Sequence, residues 1–213
     1  MDFIFTGIQF FHKGGFVMYV LLLCSIVVVA IAIERMLYFS KADAGREFAR
    51  QFYLLMSNQK FSKARDLAGK SSGVLAAILY DAMKKCGDTA ARLSSYMEIQ
   101  SGIELSRLRR RLYYLNVIVT MAPLLGLLGT ISGMISAFSV FNVEAGQASQ
   151  ITGGVGEALI ATAMGLCVAI ISLAVHAYFA QRIENIVTDM EQCFSLVEAG
   201  QTELAAVAEG QVQ

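Results

Sequence analysis

The sequence predicts an all-α integral membrane protein with three transmembrane helices, long cytoplasmic helical extensions, an outward N-terminus and an inward C-terminus. The chain has 213 residues, is 56% hydrophobic and contains a single proline, and its mean hydropathy is +0.57. Its apolar residues are concentrated in three blocks, and nearly all of its basic residues lie between the first two. Because a transmembrane helix needs roughly 20 mostly apolar residues, each block is long enough for one span.

The three apolar blocks define the predicted segments. The first block is 18 residues without a charge, from Phe16 to Ile33, and the second runs from Leu112 to Val143. The third runs from Gly146 to Gln181 and contains one charged residue, Glu157. The predicted segments are a short periplasmic N-terminus (1–15), transmembrane helix 1 (16–33), a cytoplasmic helical domain (34–111), transmembrane helix 2 (112–141), a periplasmic turn (142–154), transmembrane helix 3 (155–180), and a cytoplasmic C-terminal helix and tail (181–213).

The placement of the basic residues predicts the orientation. Of the 17 Lys and Arg residues, Lys13 alone precedes the first span and Arg182 alone follows the third, so the other 15 lie between Arg35 and Arg111. Lys and Arg that flank transmembrane helices stay on the cytoplasmic side. The long segment between spans 1 and 2 is therefore predicted to be cytoplasmic, as is the C-terminal tail.

A cleaved signal peptide is the alternative interpretation of the first block, because Ala30-Ile31-Ala32 has small residues at alternate positions. Two features oppose it. The block is longer than the apolar core of a signal peptide, and its positive charges follow the block instead of preceding it. A retained transmembrane helix is the favoured interpretation.

The cytoplasmic segments have helical rather than strand periodicity. Apolar spacing and Gly or Asn breaks predict helices over 42–57, 61–68 and 74–86, then a fourth beginning near Asp88 or Thr89 that is free to continue into the membrane. In the C-terminal segment the apolar residues follow 3- and 4-residue spacing, which suits packing against neighbouring helices or, less favoured, a coiled coil. These residues are Ile183, Ile186, Met190, Phe194 and Val197.

Spans 2 and 3 each carry a line of small and polar residues. Small residues let helices approach closely in a membrane, and single hydroxyls can bond to their own helix. The hydroxyls together with Glu157, however, indicate the wall of a wet passage or the seat of a partner helix, because ionisable groups in membranes are expensive and usually functional. The residues are Gly126, Gly129, Thr130, Gly133, Ser136 and Ala137 on span 2, and Ala158, Thr162, Gly165, Ala169, Ser172 and His176 on span 3.

Distances along the helices predict that Thr130 and Thr162 lie at comparable depths in the outer half of the membrane. At 1.5 Å per residue, Thr130 is about 16 Å from Phe141 and Thr162 is about 10 Å from Val155, with Glu157 nearer the surface. Pro123 has no amide hydrogen and leaves the carbonyl of Val119 without its helical donor. A kink is the expected consequence, and a functional hinge is the alternative.

These residues resemble the MotA/TolQ/ExbB family of proton-channel motor subunits. The matching residues of span 2 are Ala122-Pro123, Gly126-Leu127-Leu128-Gly129-Thr130, Gly133-Met134 and Phe138. Those of span 3 are Gly156-Glu157-Ala158-Leu159-Ile160-Ala161-Thr162-Ala163-Met164-Gly165-Leu166. Glu34-Arg35 at the end of span 1 is also similar to the family pattern. Three spans make the chain similar to the ExbB/TolQ branch.

The resemblance implies an inner-membrane motor driven by the proton-motive force. In such complexes a homopentamer encloses the transmembrane helices of two copies of an ExbD- or TolR-like protein, each with an intramembrane aspartate. Proton flow past that aspartate drives motion that is passed to a TonB-like or other envelope protein, and for this chain energised outer-membrane transport is the expected outcome. The resemblance further implies that Thr130 and Thr162 are pore threonines facing the aspartate and that Glu157 is the family glutamate. Ser136, Ser172 and His176 are added as candidate pore-lining residues.

The chain departs from the family pattern in the inner half of span 3. The family often has Pro where this chain has Ile171, and often Asn near Ala177. His176 in that region is interpreted either as a proton relay or, preferably, as a packed interfacial imidazole. Gly126, Gly129, Gly133, Gly165 and Pro123 are predicted to serve helix packing.

Other function classes have little support in the sequence. Two of the four cysteines (Cys24 and Cys167) fall within spans and two (Cys86 and Cys193) on the predicted cytoplasmic side, so reduced thiols are expected instead of a disulfide framework. No two cysteines are close enough in sequence to suggest a metal pair, and no catalytic residues, metal ligands, organic cofactor or nucleic-acid motif is predicted. The chain is predicted not to be an enzyme. The competing interpretation is a structural scaffold that oligomerises through the Gly/Thr line without conducting protons. Nutrient uptake, envelope constriction and motility all stay open as the driven process.

Overall fold

In the computed structural model, residues 15–42, 45–84, 90–141 and 148–200 are described, and residues 41–42, 45, 90–91, 139–141, 148–153 and 157 are described by their backbone alone. These residues form seven helices, and the described part of the chain contains no strand. The helices are α1 (Gly15–Ala42), α2 (Gly45–Ser57), α3 (Phe61–Lys70), α4 (Val74–Lys84), α5 (Ala90–Arg109), α6 (Leu112–Phe141) and α7 (Ala148–Ala199). The predicted all-α class is confirmed.

Three stretches of helix are long and apolar enough to cross a membrane within the described residues. They are Gly15–Ser40, Arg92–Phe138 and Gly154–Ala199, with peak mean hydropathies of 3.0, 1.9 and 2.5. The prediction of three candidate spans is therefore confirmed, and the orientation stays a prediction. Most of the predicted periplasmic N-terminus and part of the turn, together with the end of the tail (201–213), lie outside the described residues.

The helices extend well beyond the predicted spans. Helix α1 continues from the first apolar block to Ala42, and α7 has 52 residues, so α7 is about 78 Å long at 1.5 Å per residue. Neither extension contains a Gly or Pro after the apolar block, and charged side chains do not end a helix. Hydropathy therefore locates the apolar part of each helix, but the helix itself continues beyond that part.

The chain divides into two compact units. The span unit comprises Met1–Ile33 and Arg111–Tyr178, and the extension unit comprises Glu34–Arg110 and Phe179–Gln213. In the span unit, one apolar cluster joins α1, α6 and α7. Its most buried members include Leu21, Leu115 and Ala122, while apolar residues such as Leu124 and Ile170 are more than 60% exposed. Outward apolar side chains of this kind suit contact with lipid tails.

The extension unit has a core of large side chains. Phe39 is fully buried and its ring centroid lies 5.3 Å from that of Phe179. Phe52, Met83 and Met97 are also buried. Of the predicted apolar stripe on the C-terminal helix, four residues are buried within the chain, namely Ile183, Ile186, Met190 and Val197. The stripe therefore serves local packing, as the favoured interpretation expected.

Arg35 shapes the end of α5 in the same unit. Its buried guanidinium binds both carboxylate oxygens of Glu34 at 2.7 and 2.8 Å. It also donates to the carbonyls of Arg107 and Leu108, each at 3.3 Å. The last carbonyls of a helix have no donor within that helix, and here Arg35 supplies one. The sequence left open a continuous helix from residue 88 or 89 into the membrane, and in the structure α5 ends at Arg109 and α6 begins at Leu112.

Candidate functional site

Helices α6 and α7 touch backbone to backbone at two glycines. A Cβ atom on Gly165 would lie 2.5 Å from the carbonyl oxygen of Ala122, and one on Gly126 would lie 3.0 Å from the Cα of Thr162. The first distance is shorter than real Cβ atoms show and the second is tighter than nine in ten real Cβ contacts, so a side chain at either position would require a neighbour to shift. Close approach of two membrane helices through small residues is the arrangement expected where lipid provides no hydrophobic driving force.

Two further glycines extend this contact toward the C-terminal end of α6. A Cβ on Gly129 would lie 2.6 Å from the Cβ of Ala161, and one on Gly133 would lie 3.0 Å from the Cβ of Ala158. The four glycines predicted to serve packing thus lie at the α6–α7 contact. Pro123 lies inside α6 and is half-buried, and the helix continues through it.

Thr162 makes a hydrogen bond across this contact. Its hydroxyl donates to the carbonyl oxygen of Gly126 at 3.1 Å. The bond exists because Gly126 has no side chain to hold the two backbones apart. The Thr162 side chain is half-buried, so its oxygen lies at the edge of the contact and not inside it.

Thr130 uses its hydroxyl within its own helix. Its oxygen donates to the carbonyl of Leu127 at 2.7 Å, and the side chain is half-buried. A hydroxyl has one hydrogen and two lone pairs. With both hydrogens directed at carbonyls, Thr130 and Thr162 each present lone pairs that can accept a hydrogen bond from another group.

The contacts also define the relative depth of the two threonines. Thr162 is level with Gly126, which lies four residues farther from the C-terminal end of α6 than Thr130 does. Four residues correspond to about 6 Å along a helix. The prediction of comparable depth is refined accordingly, since the threonines lie one helical turn apart. The backbone of Glu157 precedes Ala158, which packs on Gly133, while its side chain lies outside the described part.

The remaining candidate residues have different surroundings. Ser172 is fully buried and donates to the carbonyl of Leu115 at 3.0 Å, so in this structure it connects α7 to α6. Ser136 is exposed and donates to the carbonyl of Ser132 at 3.0 Å. At about 100° per residue, Ser136 and Thr130 lie about 120° apart around α6, on opposite flanks of the glycine contact. His176 is half-buried.

The two threonines thus share an edge of the α6–α7 contact, whereas Ser136 and Ser172 are placed elsewhere. Among the described side chains from residue 112 to residue 178 there is no Asp, Glu, Lys or Arg. The described residues also contain no group of His, Cys, Asp and Glu suited to a metal ion. The same range also contains Glu144 and Glu157, whose side chains lie outside the described part, and His176, which is half-buried.

Two polar side chains of α6 were not among the candidates from the sequence. Asn116 and Thr120 are both exposed within the apolar part of this helix. The signal for them was present, because an amide and a hydroxyl interrupt a run of Leu, Val and Ile. The periodic line of glycines is the stronger pattern in the sequence, and it lies on a different face from these two residues.

Fold and site together define a helical membrane protein whose inner spans meet through glycine and present uncharged hydroxyls beside that contact. Residues 70–192 match the MotA/TolQ/ExbB proton channel family, and the chain belongs to this family. Biopolymer transport protein ExbB-like 1 of Synechocystis sp. is 35% identical over 170 residues, which cover 78% of this chain and 67% of that protein.

Two other relatives cover different shares of the chain. An ExbB homolog of Methanothermobacter thermautotrophicus is 26% identical over 217 residues, covering 100% of this chain and 76% of that protein. Biopolymer transport protein ExbB of Salmonella typhimurium is 29% identical over 183 residues, covering 78% and 72%. The resemblance inferred from the two motifs of spans 2 and 3 is confirmed.

Proposed function

We propose that this chain is the channel-forming subunit of a motor driven by the proton-motive force. Five copies surround the transmembrane helices of two copies of an ExbD- or TolR-like protein in the cytoplasmic membrane of a bacterium, and the complex energises transport at the outer membrane. The observation that carries this proposal is the pair of half-buried threonine hydroxyls beside the glycine contact, in a unit with no described Asp, Glu, Lys or Arg side chain between 112 and 178.

The chemistry of the two hydroxyls suits exchange of a proton on a partner's carboxyl group. A protonated carboxylic acid can donate to the lone pairs that Thr130 and Thr162 present, and a rotated hydroxyl can donate to the carboxylate. A carboxylate is costly in hydrocarbon. The partner's acid therefore stays neutral beside the apolar surface of the passage and ionises where it meets the hydroxyls and water. Each change of charge alters which surface the partner helix prefers.

The energy available is sufficient for such a switch. One charge that crosses 100 mV releases about 2.3 kcal/mol, which shifts a two-state equilibrium by nearly fiftyfold. The proton enters from the outer side near Glu157, reaches the threonines and leaves on the inner side. The proton-motive force drives protons toward the cytoplasm, and the basic residues between spans 1 and 2 predict which end of the passage faces it.

The composition of the complex is the first test. We would purify it from its own host's membrane through a C-terminal tag on this chain and measure its native mass with lipids retained. Five copies with two of a single-span protein carrying an intramembrane aspartate is the expected result. A homo-oligomer without such a partner would instead favour the scaffold that conducts no protons.

The role of Thr162 is the second test. Thr162→Val keeps the side-chain volume and removes the hydroxyl, and a hydrogen bond between membrane helices contributes only about 0.6 kcal/mol on average. We therefore expect an intact complex that no longer transports protons, measured with a pH-sensitive dye in proteoliposomes, and recovery with Thr162→Ser.

Ser172→Ala is the matched control, because it also removes a hydroxyl–carbonyl bond between α6 and α7 but at a fully buried position. It should conduct protons at close to the wild-type rate. Full proton transport by Thr162→Val would contradict the proposed role of the threonine hydroxyls.

A further inference from the structure

Asn116 and Thr120 form an unassigned polar site in the apolar part of α6. Both are exposed in the chain, whereas most neighbouring exposed residues, such as Met121 and Leu124, are apolar. Polar side chains within a membrane usually face a protein interior or a water-filled cavity. Exposed positions on this helix therefore indicate a wet surface that the single chain does not enclose.

The two residues lie on the stripe of α6 that also carries Thr130. Asn116, Thr120, Pro123, Leu127 and Thr130 follow one another at spacings of 4, 3, 4 and 3 residues, which keeps them on one side of a helix with 3.6 residues per turn. The glycine contact with α7 occupies a different face. If Thr130 faces the passage, Asn116 and Thr120 face the same side nearer the inner end.

Each of these residues exposes groups that can hold water. The Thr120 hydroxyl donates to the carbonyl of Val117 at 2.9 Å and is 3.4 Å from that of Asn116, so its lone pairs point away from the helix axis. The Asn116 side chain has two donors and an acceptor. Between Thr120 and Thr130, Pro123 cannot donate to the carbonyl of Val119, which adds one acceptor near the same depth.

These groups provide polar side chains along the inner half of α6. Thr130 lies 18 residues, about 27 Å, from the start of α6, and Thr120 and Asn116 lie about 12 and 6 Å from it. At the depth of Asn116, the Ser172 hydroxyl of α7 is already bonded to Leu115, and its neighbours Ile170 and Ile171 are exposed and apolar. Among the described residues of α7 at this depth, no free hydroxyl faces outward.

We infer that Asn116 and Thr120 line the inner half of the proton passage and hold the water through which the proton leaves. This inference rests on the proposed function. The partner's carboxylic acid releases its proton to a water near the threonines and becomes a carboxylate. The proton then passes along waters bound by Thr120 and Asn116 to the inner surface, and neither side chain changes its charge.

Accessibility to a charged thiol reagent tests the wet surface directly. In the complex with all four native cysteines replaced by Ala and proton transport retained, we would introduce N116C, T120C or, as the dry control, M121C. Met121 adjoins Thr120 but lies about 140° from Asn116 around the helix. We expect a membrane-impermeant reagent added at the inner face to label N116C and T120C at least about tenfold faster than M121C, a ratio equivalent to about 1.4 kcal/mol.

Proton transport by the reconstituted complex tests the function of the site. Asn116→Leu and Thr120→Val should each lower the rate about tenfold or more, and Thr120→Ser should restore it. If Thr162→Val stops transport while both of these variants run at the wild-type rate, the inference is wrong and the proposed function stands. If wild-type complex transports no protons, the proposed function itself is wrong. Equal labelling of all three introduced cysteines would also overturn the inference.

Discussion

The interior of the span unit and the interior of the extension unit are stabilised by different forces. In the span unit, α6 and α7 meet through Gly126 and Gly165 and through hydroxyls that bond to backbone carbonyls. In the extension unit, large buried side chains such as Phe39 and Phe52 fill the core, and a buried arginine caps a helix. Water makes burial of apolar surface favourable. In lipid, a leucine gains no hydrophobic free energy by moving from contact with lipid to contact with another helix.

This comparison shows why the same residue types have opposite roles in the two units. An exposed leucine in the span unit faces an apolar solvent and costs nothing. An exposed glycine in the extension unit weakens its helix, because glycine loses the most conformational freedom on folding, whereas a glycine between α6 and α7 lets two backbones touch. The following substitutions test this contrast, from the largest expected effect to the smallest.

Phe39→Ala should have the largest effect, because it removes a fully buried ring that packs on Phe179. Truncation of a buried phenylalanine costs about 3–5 kcal/mol. The midpoint of thermal unfolding of the purified protein would report the loss. Leu54→Ala in α2, at a half-exposed position, is the control and should change stability by less than about 0.5 kcal/mol. Similar losses from both would show that this core is not held by burial.

Arg35→Met should destabilise the end of α5 by about 3 kcal/mol, since it removes the donor to the carbonyls of Arg107 and Leu108 and breaks the buried ion pair with Glu34. Arg35→Lys should recover part of this loss, because an ammonium group keeps the charge but lacks the planar fork. Faster amide hydrogen exchange in the last turn of α5 is the expected measurement. Unchanged exchange in Arg35→Met would contradict the capping role.

Gly165→Ala should destabilise the α6–α7 contact by about 1–3 kcal/mol, the usual range for an overpacked position, because its Cβ would lie 2.5 Å from the carbonyl of Ala122. Gly156→Ala on the same helix is the matched control, since nothing lies within 4 Å of its Cβ position. The fraction of complex that survives heating in mild detergent would compare them. Equal survival of the two variants would argue against backbone contact as the basis of this interface.

Gly102→Ala should have the smallest effect and the opposite sign. Gly102 is exposed in the middle of α5, and nothing lies within 4 Å of its Cβ position. Alanine is favoured over glycine in such a position by up to about 1 kcal/mol, so the unfolding midpoint of the extension unit should rise slightly. A fall would mean that Gly102 makes a close contact in the assembled complex.

Much of this architecture could be predicted from the sequence. The apolar blocks near Phe16, Leu112 and Val155 identified three candidate spans, and the motifs around Thr130 and Thr162 identified the family. Small residues were correctly selected as candidates for close contact, because Gly and Ala recur there at helical spacing. These properties depend on composition and local periodicity, which a sequence records directly.

Other properties depended on contacts between residues far apart in the chain. Ser172 and Thr162 are both hydroxyl residues on the same helix, yet one is fully buried on Leu115 and the other lies at the edge of the contact with Gly126. The end of α5 likewise receives its side-chain donor from Arg35, which lies more than 70 positions earlier.

The amino-acid order was sufficient to establish the class of protein, its helices and its family, because lipid and water select strongly for hydropathy and helical period. The depth of one threonine relative to the other, the burial of Ser172 and the outward side of Asn116 and Thr120 emerged from the packing of α6 on α7. A sequence specifies the angle of each residue around its own helix, but the neighbouring helix determines which of those angles becomes an interface.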